Sequence, residues 1–156
     1  MNHIGIDIIE IARIEQAIAQ WGERFLHRVY TESELKLYYK KPLSLAARFA
    51  GKEAVIKAIG TQTKGISWQE IEILAEPSGK PLVQLYGKAQ DKANDLGLSK
   101  MAISLSDSKE YAIACAIVEA KRLRVFRSGA IGNNTNIATR RRFKKHGMSR
   151  TIKSGE

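Results

Sequence analysis

The sequence predicts one folded domain of mixed helices and strands, followed by a basic tail. Three observations carry this reading. "HIGIDII" (3–9) is dense in isoleucine, as a buried strand is. "TESELKLYYK" and the alanine-rich stretch before Gly60 carry helix start and stop signals. Two alternating segments flank "EPSGKP", a turn with two prolines and a glycine, and so predict a hairpin.

The elements follow in order. After the strand at 3–9, Ile11, Ile14 and Ile18 have helical spacing. Thr31 and Glu34 stand in capping-box spacing, so a helix begins near 31. Ser44 is placed to cap the next helix and Gly60 to end it. "ISWQEIEIL" (66–74) and "LVQLYG" (82–87) are the hairpin strands. Residues 88–96 read as a helix stopped at Gly97. "MAISLS" and "EYAIACAIVE" read as two further strands, with helix the alternative for the second because of its alanines. There is no internal repeat.

The chain has 156 residues, 44% of them hydrophobic, enough for one domain with a real core. No apolar run approaches the ~18 residues of a membrane span. The start "MNHIGIDII" lacks the basic and small-residue features of a signal peptide. One cysteine, Cys115, cannot form an internal disulfide; it reads as a buried structural thiol in a reducing cytoplasm. His3, His27 and His146 have no metal-ligand spacing.

Charge divides the chain. Residues 1–120 hold 15 basic and 15 acidic side chains, whereas 121–156 hold 11 basic residues and one acid, Glu156. The net +10 therefore belongs to the tail, and the high isoelectric point says nothing of the folded part. The expected domains are 1–120 and a flexible basic extension, 121–156, with a linker-like "SGAIGNNTN" and a cluster "RRRFKKHGMSR".

The helix at 44–59 is unusual in its charges. On a helical wheel Leu45, Phe49, Ile56 and Ile59 share one stripe, expected to face the core. Glu53 and Lys57 lie one turn apart on its flank, after Ala46 and Ala50, whose small side chains leave room for something to approach. Such a pair can be merely a solvated i,i+4 contact. Asp7 argues for more. It interrupts an apolar strand, where an unpaired carboxylate is expensive to bury, and Gly5 beside it permits close backbone or ligand approach. One carboxylate from a strand and one from a helix suit Mg²⁺, whose shell is completed by waters and substrate phosphates. Lys52 and Lys57 would add positive charge, so the constellation reads as phosphoryl chemistry. No G-x-x-x-x-G-K-[ST] is present, so it is not a P-loop. "GTQTKG" (60–65) is either a phosphate-facing loop or a plain connection.

"IGIDIIEIARI" followed by "RFAGKEAVIKAIG" resembles the two signatures of the 4′-phosphopantetheinyl transferase superfamily, with the spacing of its short, single-unit group, the holo-acyl-carrier-protein synthases. "TESEL", "IEILAEPSGKP" and "ISLSDSKEYAIA" also fall where that family has similar segments, and the resemblance covers about 3–119. It implies an α+β fold, an antiparallel sheet packed with helices, and a homotrimer with active sites between subunits. It implies transfer of 4′-phosphopantetheine from coenzyme A to a serine of apo acyl carrier protein, releasing adenosine 3′,5′-bisphosphate. Asp7 and Glu53 match the family's magnesium carboxylates, and Lys57 its lysine near the coenzyme A pyrophosphate. Arg48, Lys52, Ser108 and Lys109 are the further residues expected at coenzyme A. Arg13, Arg24 and Arg28 fall in the segment that meets the acidic carrier protein. Glu53, or a metal-held water oriented by it, is the expected base for the serine proton.

Two departures stand out. Asp107 occupies the place of the family's histidine in "SLSDSKEYA". A carboxylate there repels phosphate unless a cation compensates, so it is a third metal ligand, a side chain turned away, or the mark of a weakened enzyme. The basic tail is the second. Two rivals follow: a relative that binds coenzyme A or carrier protein without transfer, and a protein whose tail contacts nucleic acid non-specifically, with steep salt dependence. The lack of aromatic residues among the tail's charges, beyond Phe126 and Phe143, argues against specific RNA readout.

Overall fold

In a computed structural model of the chain, residues 2–60 and 65–120 are described; the expectations for 121–156 and for the middle of "GTQTKG" lie outside the described residues. The elements run β1 (Asn2–Glu10), α1 (Ile11–Trp21), α2 (Glu23–Val29), α3 (Glu32–Tyr38), α4 (Pro42–Ile59), a 3-10 turn (Trp68–Glu70), β2 (Ile71–Ala75), β3 (Pro81–Leu85), α5 (Gly87–Asp95), β4 (Leu98–Asp107) and β5 (Tyr111–Ala120). β1, β5 and β4 form an antiparallel sheet in that order, and β2 pairs with β3 in an antiparallel hairpin. The expected α+β class is observed, with two sheets among the described residues.

Helix α4 is the centre of the molecule. It packs on β1, β5 and β4, and is also met by α1, α3 and β2. Ala46, Ala50, Ala54 and Ala58 recur every fourth residue and are all buried. The sheet answers with Ala112, Ala114 and Ala116 of β5, also buried. Small side chains on both surfaces let the helix lie close to the strands. Gly5 of β1 marks the closest approach: a Cβ there would stand 1.9 Å from the Ala54 carbonyl oxygen. That space is filled by backbone, so Gly5 serves packing rather than a ligand.

This arrangement corrects several expectations. The flank of Ala46 and Ala50 is closed, not open. The stripe Leu45–Phe49–Ile56–Ile59 is only half right: Leu45 and Ile59 are buried, while Phe49 and Ile56 are partly exposed at the core's margin. Because neighbours surround α4, its buried surface is wider than one stripe. β5 is a strand; its alanines reflect the nearness of α4, not helix preference. Helix α4 starts at Pro42, whose fixed φ suits a first turn, so Ser44 lies inside it. The Thr31–Glu34 capping box forms as expected. Strand 66–74 is shortened to β2, because Ser67 and Glu70 make a second capping box around the 3-10 turn.

Candidate active site

β1 alternates. His3, Gly5, Asp7 and Ile9 turn toward α4, and Ile4, Ile6 and Ile8 turn to the opposite, exposed face. Asp7 thus reaches the helix near the open end of the α4–β1 contact. Lys57 donates from Nζ to Asp7 Oδ1 at 2.8 Å and to the Ile6 carbonyl at 3.0 Å. The lysine side chain is 48% exposed and the aspartate 16%. Both groups therefore stay within reach of an incoming molecule.

Glu53 lies one turn before Lys57 on the same helix, partly exposed. Its Oε1 accepts a short hydrogen bond from the indole Nε1 of Trp68. The Trp68 ring also stands 5.8 Å from that of Phe49, centroid to centroid.

Lys52 is placed differently from the expectation that it binds coenzyme A. Its side chain is fully buried. The ammonium lies 2.8 Å from Glu34 Oε2 and donates to the carbonyls of Ile71 at 2.6 Å and Trp68 at 3.0 Å. All three donors are engaged, so no donor is left for a phosphate. Burial pulls its pKa down, against the opposing pull of Glu34. Glu34 in turn accepts from the amides of Thr31 and Ile73. Glu72 accepts from the hydroxyls of Thr31 and Tyr86. The network ties α3, α4 and β2 together.

Arg48 lays its guanidinium 3.6 Å from the centre of the Tyr38 ring. Its Nη1 makes a long bond to the Ser44 carbonyl, and its buried Nε has no partner among the described residues. Arg13 is exposed on α1. Arg24 and Arg28 are exposed on α2 and rim a cavity of about 350 Å³ lined by Trp21, Phe25, Val29 and Trp68.

Asp107, Ser108 and Lys109 are exposed at the β4–β5 turn. The Ser108 hydroxyl accepts the amides of Glu110 and Tyr111, which fixes the turn. Asp107 pairs with Ala112, whereas Asp7 pairs with Ala114. Strand β5 therefore lies between the two carboxylates, about 10 Å across the sheet at two strand spacings. Within one chain Lys57 contacts Asp7, Glu53 lies one helical turn before Lys57, and Asp107 stands apart across β5.

Residues 3–116 match the model of the 4′-phosphopantetheinyl transferase superfamily. The chain belongs to that superfamily. A holo-[acyl-carrier-protein] synthase of Dehalococcoides mccartyi (strain CBDB1) is 53% identical over 119 residues, which cover 76% of this chain and 99% of that one. Among solved structures, the holo-[acyl-carrier-protein] synthase of Helicobacter pylori in complex with coenzyme A superposes with a TM-score of 0.67 at 36% identity. That match covers 74% of this chain and 99% of that one. The enzyme of the same name from Neisseria meningitidis gives 0.70 at 32%, over 75% and 97%.

As a phosphopantetheinyl transferase the chain needs groups that handle a pyrophosphate, and its donor set can be tested for a metal. Among the described residues no cluster of three or more His, Cys, Asp or Glu side chains is placed to hold an ion. Two carboxylates, Asp7 and Glu53, are too few for a closed protein cage. They are what Mg²⁺ commonly takes when waters and phosphates supply the rest. The oxygen-only donor set fits that ion. Sequence reasoning missed Trp68 and the second role of Glu34. Glu34 was legible only as a capping residue, and nothing near Trp68 in sequence points to Glu53.

Proposed function

We propose that Asp7, Glu53 and Lys57 carry out transfer of 4′-phosphopantetheine from coenzyme A to a serine hydroxyl of an apo acyl carrier protein. The serine oxygen forms a bond to the β-phosphorus of the pyrophosphate. The bond from that phosphorus to the bridging oxygen breaks, and adenosine 3′,5′-bisphosphate leaves. The observation that carries the reading is the Lys57–Asp7 contact on a partly open flank of α4, with Glu53 one helical turn before Lys57 and bonded to Trp68. The names of the similar proteins support it.

Asp7 and Glu53 would hold Mg²⁺, which when bound neutralises phosphoryl oxygens. Lys57, already within 2.8 Å of Asp7, stabilises the charge that grows on the leaving group. Glu53 takes the serine proton. Arg48 and Lys109 are assigned to the charged parts of coenzyme A, with Ser108 shaping the β4–β5 turn that carries Lys109. Arg13, Arg24 and Arg28 steer the acidic carrier protein, since complementary charge raises encounter rates.

The proposed assembly is a homotrimer. Its support is an apolar outer face of the sheet: Ile4, Ile6 and Ile8 are 60, 56 and 59% exposed, and Ile113 and Ile117 of β5 lie beside them. A contiguous apolar surface of this kind marks an interface. No helix among the described residues is long and apolar enough to cross a membrane, and a cytoplasmic setting goes with a single free cysteine, Cys115.

Incubation of an apo carrier protein with coenzyme A and Mg²⁺, followed by mass spectrometry, tests the reading. The expected result is a gain of one phosphopantetheine. Coenzyme A binding with no mass gain would favour the second reading, a binder without transfer. Asp107, exposed where the family has histidine, is the observation behind that alternative.

A further inference from the structure

Trp68 stands at a junction the reaction above does not use. An indole N–H is a donor only, with a single direction, and this one is spent on Glu53 Oε1. The tryptophan is itself held from several sides. Its ring meets Phe49. Its carbonyl accepts from the buried Lys52 ammonium at 3.0 Å. The residues on either side are held by the Ser67–Glu70 capping box, and Gln69 donates to the carbonyls of His27 on α2 and of Tyr30 just after it. The ring also lines the cavity rimmed by Arg24 and Arg28.

A glutamate on a helix flank otherwise samples many rotamers, and ordering it costs side-chain entropy. Here one carboxylate oxygen is fixed by a donor that cannot swing away. The other, Oε2, receives no hydrogen bond from the described residues and is left for a metal or a proton.

We infer that Trp68 is a positioning residue: through its indole N–H it holds the Glu53 carboxylate in the orientation that transfer requires, anchored behind by Lys52 and Glu34. This rests on the proposed role of Glu53, and it predicts an effect that passes through Glu53 alone.

The test is Trp68→Phe, which keeps an aromatic ring against Phe49 and deletes the N–H. A lost hydrogen bond to a charged group predicts a fall in kcat of about tenfold to a hundredfold. KM for the carrier protein should stay within about twofold, the pattern of an interaction felt in the transition state. Affinity for Mn²⁺ in the coenzyme A complex, read by electron paramagnetic resonance without turnover, should weaken severalfold, and the melting temperature should hold. In a Glu53→Gln background Trp68→Phe should add little. A rise in KM for carrier protein alone would overturn the inference, because Trp68 would then serve docking. So would a kcat loss that multiplies fully with that of Glu53→Gln, or no loss at all. Near-normal transfer by Glu53→Gln alone would instead reject the role of Glu53, which separates the two failures. If Trp68→Phe does not fold, the Trp21→Phe protein leaves one indole N–H resonance to follow. That resonance should move on Glu53→Gln, and one that does not move overturns the contact.

Discussion

Helix α4 carries two ion pairs of equal length in opposite surroundings. Lys52–Glu34 and Lys57–Asp7 both measure 2.8 Å. The first is fully buried and its lysine donates to two further carbonyls. The second is half open on the lysine side and lies one turn from Glu53. Separation alone therefore does not assign a role. A buried pair needs all its hydrogen bonds satisfied, or the desolvation cost is uncompensated. An exposed pair is weak in water and can be exchanged for a ligand's charge. The same residue type, five positions apart, is a buried strut in one place and in the other a half-exposed group open to a ligand.

The comparison can be broken from the buried side first. Lys52→Met leaves Glu34 charged and unpaired in the core. The expected cost is about 3–5 kcal/mol, measured by urea unfolding, with transfer lost as the fold weakens. A Lys52→Met protein with unchanged stability and a raised KM for coenzyme A would return Lys52 to the substrate side.

On the exposed side the expectations reverse. Asp7→Asn should cut transfer by about 10²–10³-fold, the scale for removing a group aimed at developing charge, while far-ultraviolet circular dichroism stays the same. Near-normal turnover at low Mg²⁺ would remove Asp7 from the site. Lys57→Ala should slow transfer by a similar or smaller factor and change unfolding stability by less than about 1 kcal/mol. Should its stability fall as far as that of Lys52→Met, the two pairs would carry the same structural weight.

Smaller effects sharpen the edges of the site. Asp107→His should lower the KM for coenzyme A if the aspartate only repels phosphate. Asp107→Ala should raise the Mg²⁺ needed for half-maximal rate if the carboxylate assists the metal from a neighbouring subunit. Both are expected within about tenfold, as the charge is exposed and screened, and steady-state kinetics at varied Mg²⁺ separates them. Smallest of all, a chain ending at Ala120 should keep its transfer activity, because the superfamily match ends at residue 116 and the net charge of 1–120 is zero. Loss of carrier-protein modification by that truncated chain would show that the tail takes part.

Much of the molecule was open to reading from its residues. The isoleucine run, the Thr31–Glu34 box, the turn at "EPSGKP" and Gly97 are local signals, and β1, α3, the hairpin and α5 form where these signals lie. Asp7 was recognisable because a carboxylate in an apolar strand needs an explanation on chemical grounds alone, and the structure gives it Lys57 as a partner. Helix α2 was not assigned, and the 3-10 turn was read as strand, since short elements give little periodicity.

The sequence by itself determined the kind of fold, the superfamily, the residue types on the Asp7–Lys57 flank and the division of charge between body and tail. These depend on residue types and short spacings. Tertiary structure alone decided which lysine of α4 is available. It also decided that its alanines face a sheet rather than a ligand, and that Trp68 reaches Glu53 from 15 residues away. Burial and long-range hydrogen bonds depend on what the fold brings alongside a residue. A helical wheel carries its own spacing but not the position of its neighbours. In α4 the neighbours lie on nearly every side, so a buried lysine and an exposed one look alike until the strands are in place.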